Sequence, residues 1–105
     1  MSKDAVDAAV SRWLSIDRNA STRAELEGLA KSGDYDALSS VLLNRMAFGT
    51  AGLRARMGAG YSCMNDVTII QTSQGFAQYL LTVQGDVVKE RGVVIGFDAR
   101  HNSER

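Results

Sequence analysis

Gly92-Val93-Val94-Ile95-Gly96-Phe97-Asp98-Ala99-Arg100 is the stretch that decides the fold of this chain. A glycine that halts a helical pattern is followed at once by a β-branched run, which reads as a strand buried on both faces. Upstream, Asp66 is placed to cap a long helix whose apolar residues Ile69, Phe76, Leu80, Val83 and Val87 recur at four- or three-residue spacing; Gly75 and Gly85 weaken it. Before that helix, Leu53 through Met57 reads as extended chain and Gly58-Ala59-Gly60 as a turn. Strand, helix, strand is the organising unit, so the predicted fold class is α/β. In such units ligands gather outside the carboxyl ends of the strands, where Asp98-Ala99-Arg100 lies.

The amino-terminal part reads differently. Val6, Ala9, Val10, Trp13 and Leu14 fall on one helical face, predicting a helix from Ser2 to about Ser15. Thr22-Arg23-Ala24-Glu25 has the form of a capping box, followed by Leu26, Leu29 and Ala30 on one face and by Gly33 as a stop. A third helix begins near Asp34 and carries Leu38, Val41 and Leu42. Residues 1–44 are thus predicted to be a helical extension that supports the α/β part, which spans residues 45–105.

The chemistry concentrates in Phe48-Gly49-Thr50-Ala51-Gly52-Leu53-Arg54. Gly49 and Gly52 permit backbone conformations closed to other residues and a close approach to the main chain, Thr50 offers a hydroxyl, and Arg54 offers a planar cationic fork. Those are the groups that grip a phosphate. Taken alone, the heptapeptide also suits an ordinary strand connection with a solvated charge, and Asp98 with Arg100 also suits a loop cap paired with a surface cation. Asp98 and His101, the single histidine, supply too few ligands for a metal.

Composition narrows the field. The chain has 105 residues, room for one domain at most, and its 12 basic and 12 acidic residues cancel. That balance gives no global case for nucleic acid or an anionic membrane surface. Cys63 is the single cysteine, which excludes an internal disulfide and a multi-thiolate metal site and predicts a packing role in a reducing compartment. No apolar stretch approaches membrane-spanning length and the start lacks a basic-then-apolar run, so the cytosol is the expected location. The absence of proline and of low-complexity tracts predicts no linker.

Three separated motifs then agree: Phe48 to Arg54, Met64-Asn65-Asp66-Val67-Thr68-Ile69-Ile70-Gln71-Thr72-Ser73-Gln74-Gly75, and Gly92 to Ser103. In order and spacing they resemble the amino-terminal part of the α-D-phosphohexomutase superfamily, with its eukaryotic phosphoglucomutase-2 (phosphopentomutase) and glucose 1,6-bisphosphate synthase branch nearest. The resemblance implies a four-domain enzyme around a central cleft, whose phosphoserine passes its phosphoryl group to a glucose or ribose phosphate and takes another back from the sugar bisphosphate. It implies magnesium screening the phosphoserine, Thr50 and Arg54 beside that phosphate, and Gly49, Ala51, Asp98 and Arg100 shaping the same side of the site.

The departures are as informative. The superfamily's serine lies in a threonine-alanine-serine-histidine-asparagine-proline segment that this sequence lacks, and Ser103 after His101-Asn102 stands in the earlier aspartate-x-arginine loop, so it is not assigned as the nucleophile. The aspartate-rich magnesium loop and the sugar-binding domains are also missing, which predicts an incomplete first domain, inactive without the remaining domains of its parent. Truncation is expected to leave the Val93 to Phe97 strand uncovered. Ala20 stands where close relatives carry proline, a change confined to a helix entry. Hexose or pentose preference, and mutase or bisphosphate synthase activity, stay open, and a non-catalytic interaction module is the alternative from another class.

Overall fold

The computed structural model describes residues 3–49 and 52–100. They divide into two compact units, Met1–Ser73 and Gln74–Arg105. The first is built on three helices, α1 (Lys3–Ile16), α2 (Ala20–Ser32) and α3 (Tyr35–Leu42). Helices this short are marginal in water, so packing must hold them. Their apolar faces meet around Trp13 and Leu26, both 0% exposed, with Val6, Leu38 and Leu42. Burying a side chain such as Leu26 stabilises by about 2 kcal/mol.

The junctions are fixed by polar groups. Asp17, buried after α1, accepts Trp13 Nε1–H at 3.0 Å, the Asn19 amide at 3.0 Å and the Thr22 hydroxyl at 2.5 Å. Asn19, extended at ψ 117°, caps α2 by accepting the Ser21 amide at 2.9 Å. The predicted Thr22-to-Glu25 capping box is therefore not formed, because Asn19 starts the helix three residues earlier and Thr22 turns to Asp17. Ala20 is the first residue of α2, a position where proline is also well accommodated. Gly33, at φ 70°, ends α2 in a Schellman arrangement, its amide donating to Ala30 O and that of Asp34 to Leu29 O. Asp34 then caps α3 through the Ala37 amide at 3.1 Å.

Beyond α3, β1 (Phe48–Gly49) pairs antiparallel with β2 (Gly52–Leu53). A turn over residues 58–65 closes the unit and packs Ala59, Tyr61 and Cys63 into the same core, Tyr61 edge-on to Trp13 at 5.0 Å. Cys63 is thus a packing residue, as its isolation in the sequence predicts. Helix α4 (Asp66–Arg91) begins here. Its cap is Asn65 in place of the predicted Asp66: Asn65 Oδ1 accepts the Thr68 amide at 3.0 Å, and Thr68 Oγ1 accepts the Asn65 amide at 3.1 Å.

In the second unit α4 continues to Arg91, with a non-helical residue at Gln84 (φ −142°) beside Gly85, and Gly92 ends it at φ 77°. The apolar stripe is in register but uncovered: Phe76, Val83 and Val87 are each more than half exposed. Val93 to Ile95, predicted as a strand buried on both faces, has no strand pairing, and Val94 is 98% exposed. The reason is physical: a strand needs a neighbour to bond, and the one ladder among the described residues is the two-residue pair β1 and β2. The described chain is therefore mostly helical, and the sequence's β-branched signal is present without its sheet.

Candidate functional site

Phe48 pairs with Leu53 and Gly49 with Gly52; Thr50 and Ala51, two expected site residues, lie outside the described ones. Gly52 sits at φ 95°, a region that favours glycine, with open space where a Cβ would stand. Two residues on, Arg54 is exposed. Its neighbours in the sequence are engaged. Arg45 donates to Gln71 Oε1 at 2.9 Å and lies over the Tyr61 ring at 4.6 Å, and Arg56 reaches Cys63 Sγ at 3.6 Å. The Arg54 guanidinium has no hydrogen bond or ion pair among the described residues. An uncommitted planar fork after a glycine-bounded hairpin is chemically fit to take two oxygens of a phosphate.

Both feet of this hairpin stand on the turn that follows. The Met46 amide donates to Tyr61 O at 3.2 Å and the Met64 amide to Arg56 O at 2.8 Å. The turn is in turn tied by Asn65, whose Nδ2 donates to Gly58 O and Gly60 O at 2.8 Å each. From the helical part, Glu25 Oε2 accepts the Ala59 amide at 2.5 Å and Asn19 Nδ2 donates to Asp66 Oδ2 at 3.2 Å. These supporting residues escape a sequence search for charged motifs. The one available signal was Asn65 three residues before Thr68, the spacing of a reciprocal cap.

Asp98 and Arg100 belong to the second unit, and Arg54 to the first. The structure brings Asp98 and Arg100 together: Asp98 Oδ1 accepts the Arg100 amide at 3.0 Å and Oδ2 accepts its Nε–H at 2.6 Å. Arg100 is exposed enough, at 86% of its side chain, to exchange that partner for a ligand. Ser103 lies outside the described residues. Among the described residues no three His, Cys, Asp or Glu side chains gather, so these residues do not fit a magnesium site. No helix among them is long and apolar enough to cross a membrane.

Glycines thus flank the two-residue ladder, and beyond it stands an exposed guanidinium without a hydrogen bond or ion pair among the described residues. The chain belongs to the phosphoglucomutase/phosphomannomutase family, whose alpha/beta/alpha domain I matches residues 45–105. It is 50% identical over 95 residues to a phosphopentomutase of Mus musculus, covering 90% of this chain and 15% of that protein. It is 48% identical over 94 residues to a probable phosphoribomutase of Schizosaccharomyces pombe, covering 90% of this chain and 16% of the relative. A glucose 1,6-bisphosphate synthase of Homo sapiens is 44% identical over 95 residues, at 90% and 15% coverage. The chain thus spans about 15% of the length of these curated relatives. No solved structure matches it significantly.

Proposed function

We propose that this chain is the amino-terminal portion of a sugar-phosphate mutase that moves a phosphoryl group between the 1-position and the 5- or 6-position of a pentose or hexose phosphate, through a phosphoserine and a sugar bisphosphate. Arg54 carries the reading, because beyond the glycine-bounded ladder it is exposed and has no hydrogen bond or ion pair among the described residues. Its fork would hold two phosphoserine oxygens while charge builds on them, with Thr50 hydrogen-bonding beside it. Asp98 would hold Arg100 oriented until a phosphate competes for it. The relatives' names support a pentose phosphate first, and the 44% identity to a bisphosphate synthase supports a second reading that differs in the phosphoryl donor.

The serine donor and magnesium carboxylates are outside this sequence in this reading. The 105-residue chain therefore supplies binding groups and no nucleophile. Incubated with labelled glucose 1,6-bisphosphate and magnesium, the chain is expected to take up no covalent label, and stoichiometric label at Ser103 would refute the assignment. In a protein carrying the remaining domains, Arg54→Lys is expected to slow single-turnover phosphoryl transfer by about 100-fold, the magnitude typical of losing one oriented donor, with an unchanged thermal midpoint. Equal rates with a lowered midpoint would make Arg54 structural.

A further inference from the structure

We propose that Glu25, on helix α2, is a positioning residue for the anion-gripping hairpin, so that the amino-terminal helices act on Arg54 through the turn at residues 58–65. The proposal rests on the phosphate-binding reading of Arg54. Glu25 sits on the exposed side of α2, yet its carboxylate reaches 34 positions along the chain to accept the amide of Ala59, a residue only 1% exposed. No other acceptor among the described residues is bonded to that amide. A buried N–H with one charged acceptor is a strong local anchor.

The anchor lies beside the hairpin's footing. Gly58 donates to Met64 O at 3.2 Å, and Met64 returns a bond to Arg56 O at 2.8 Å, two residues from Arg54. The second foot, Met46, bonds Tyr61 O. The turn has little room to shift, because Gly60, at φ 108°, lies so close to Val41 that a Cβ would stand 2.5 Å from it. Asn65 ties its carbonyls from within, and Glu25 ties it to the helices from without. Withdrawing Glu25 loosens the turn at Ala59, the side nearest Arg56, while the Ser62 amide still bonds Val41 O at 3.1 Å and the three helices keep their own contacts around Trp13 and Leu26.

The test uses the 105-residue chain, with amide exchange and an inorganic phosphate titration read at the Arg54 Nε–H resonance. In Glu25→Ala, the Met46 and Met64 amides are expected to exchange at least tenfold faster. The Asp17 amide, bonded to Trp13 O inside the helical part, is expected to change less than threefold. Phosphate affinity at Arg54 is expected to fall at least threefold, and Glu25→Gln, whose amide oxygen still accepts, is expected to restore both readouts within twofold. Uniform acceleration, no acceleration, or selective acceleration with unchanged phosphate affinity would each overturn the proposal. If Arg54 in the unaltered chain ignores phosphate, the phosphate-binding reading falls, while selective exchange at Met46 and Met64 still supports the anchoring by Glu25. Should Glu25→Ala not fold, Glu25→Asp carries the same test, because one methylene less withdraws the carboxylate from Ala59 and keeps its charge.

Discussion

Single residues in this chain divide sharply into those that hold the site and those offered by it. Arg45 and Arg56 are spent on Gln71, Tyr61 and Cys63, whereas Arg54 is exposed and has no polar partner among the described residues. Among the holding residues, Gly60 is the least replaceable. A Cβ there would lie 2.5 Å from both Val41 Cβ and Val41 O, and backbone oxygen cannot step aside as a flexible side chain can. Gly60→Ala is therefore expected to destabilise by more than about 3 kcal/mol in chemical unfolding, strain and overlap combined. Gly33→Ala, also at positive φ but with open space around it, is the control and is expected to lose about 1 kcal/mol. Equal losses at the two positions would remove the close approach to Val41 as the cause. Asn65→Asp keeps the shape and the cap on Thr68 but removes both donors to Gly58 O and Gly60 O. Its expected loss is about 3 kcal/mol, since an anion then faces buried carbonyls.

At the scale of elements, what the sequence made legible was local, and what it hid was tertiary. The helices around Trp13, the Gly33 stop and the Asp34 start follow from periodicity and cap chemistry that act within a few residues. The α2 start differs from the one that the capping-box spacing of Thr22 and Glu25 predicts, because their side chains are drawn to Asp17 and Ala59, partners that no local pattern announces. Arg54 stands out in the sequence as a candidate because glycines flank it, and the structure leaves it exposed; Glu25 does not stand out, because its partner lies far along the chain. Helix α4 shows the same division. Its stripe predicts a helix correctly, yet the burial that the stripe implies needs elements that the described residues do not contain. The helix is held largely by its own propensity, so Gly75, with nothing within 4 Å of a built Cβ, is a position where alanine should help. Gly75→Ala is expected to raise helicity at 222 nm and to add about 0.5–1 kcal/mol to stability. A decrease would indicate a neighbour packed on the bare glycine.

At the scale of the whole molecule, the two units differ in how completely their apolar surface is covered. The first closes its core with Trp13, Leu26 and Leu38 at 1% exposure or less, whereas the second leaves Val94 and Ile95 at 98% and 85%. An α/β/α layer, the description its family carries, puts helices over both faces of a sheet, and a β-branched run of this kind belongs inside it. Contiguous apolar surface outside such a layer attracts other apolar surface. The 105-residue chain is therefore expected to bind the dye ANS and to associate as its concentration rises. Val94→Lys combined with Ile95→Lys should reduce dye binding at least twofold and shift sedimentation toward the monomer. Because neither side chain belongs to the core of the first unit, the unfolding midpoint should stay unchanged, as is usual for substitutions at exposed positions. Unaltered dye binding in the double variant would show that the sticky surface lies elsewhere, with the exposed Phe76 and Tyr79 of α4 the next place to substitute.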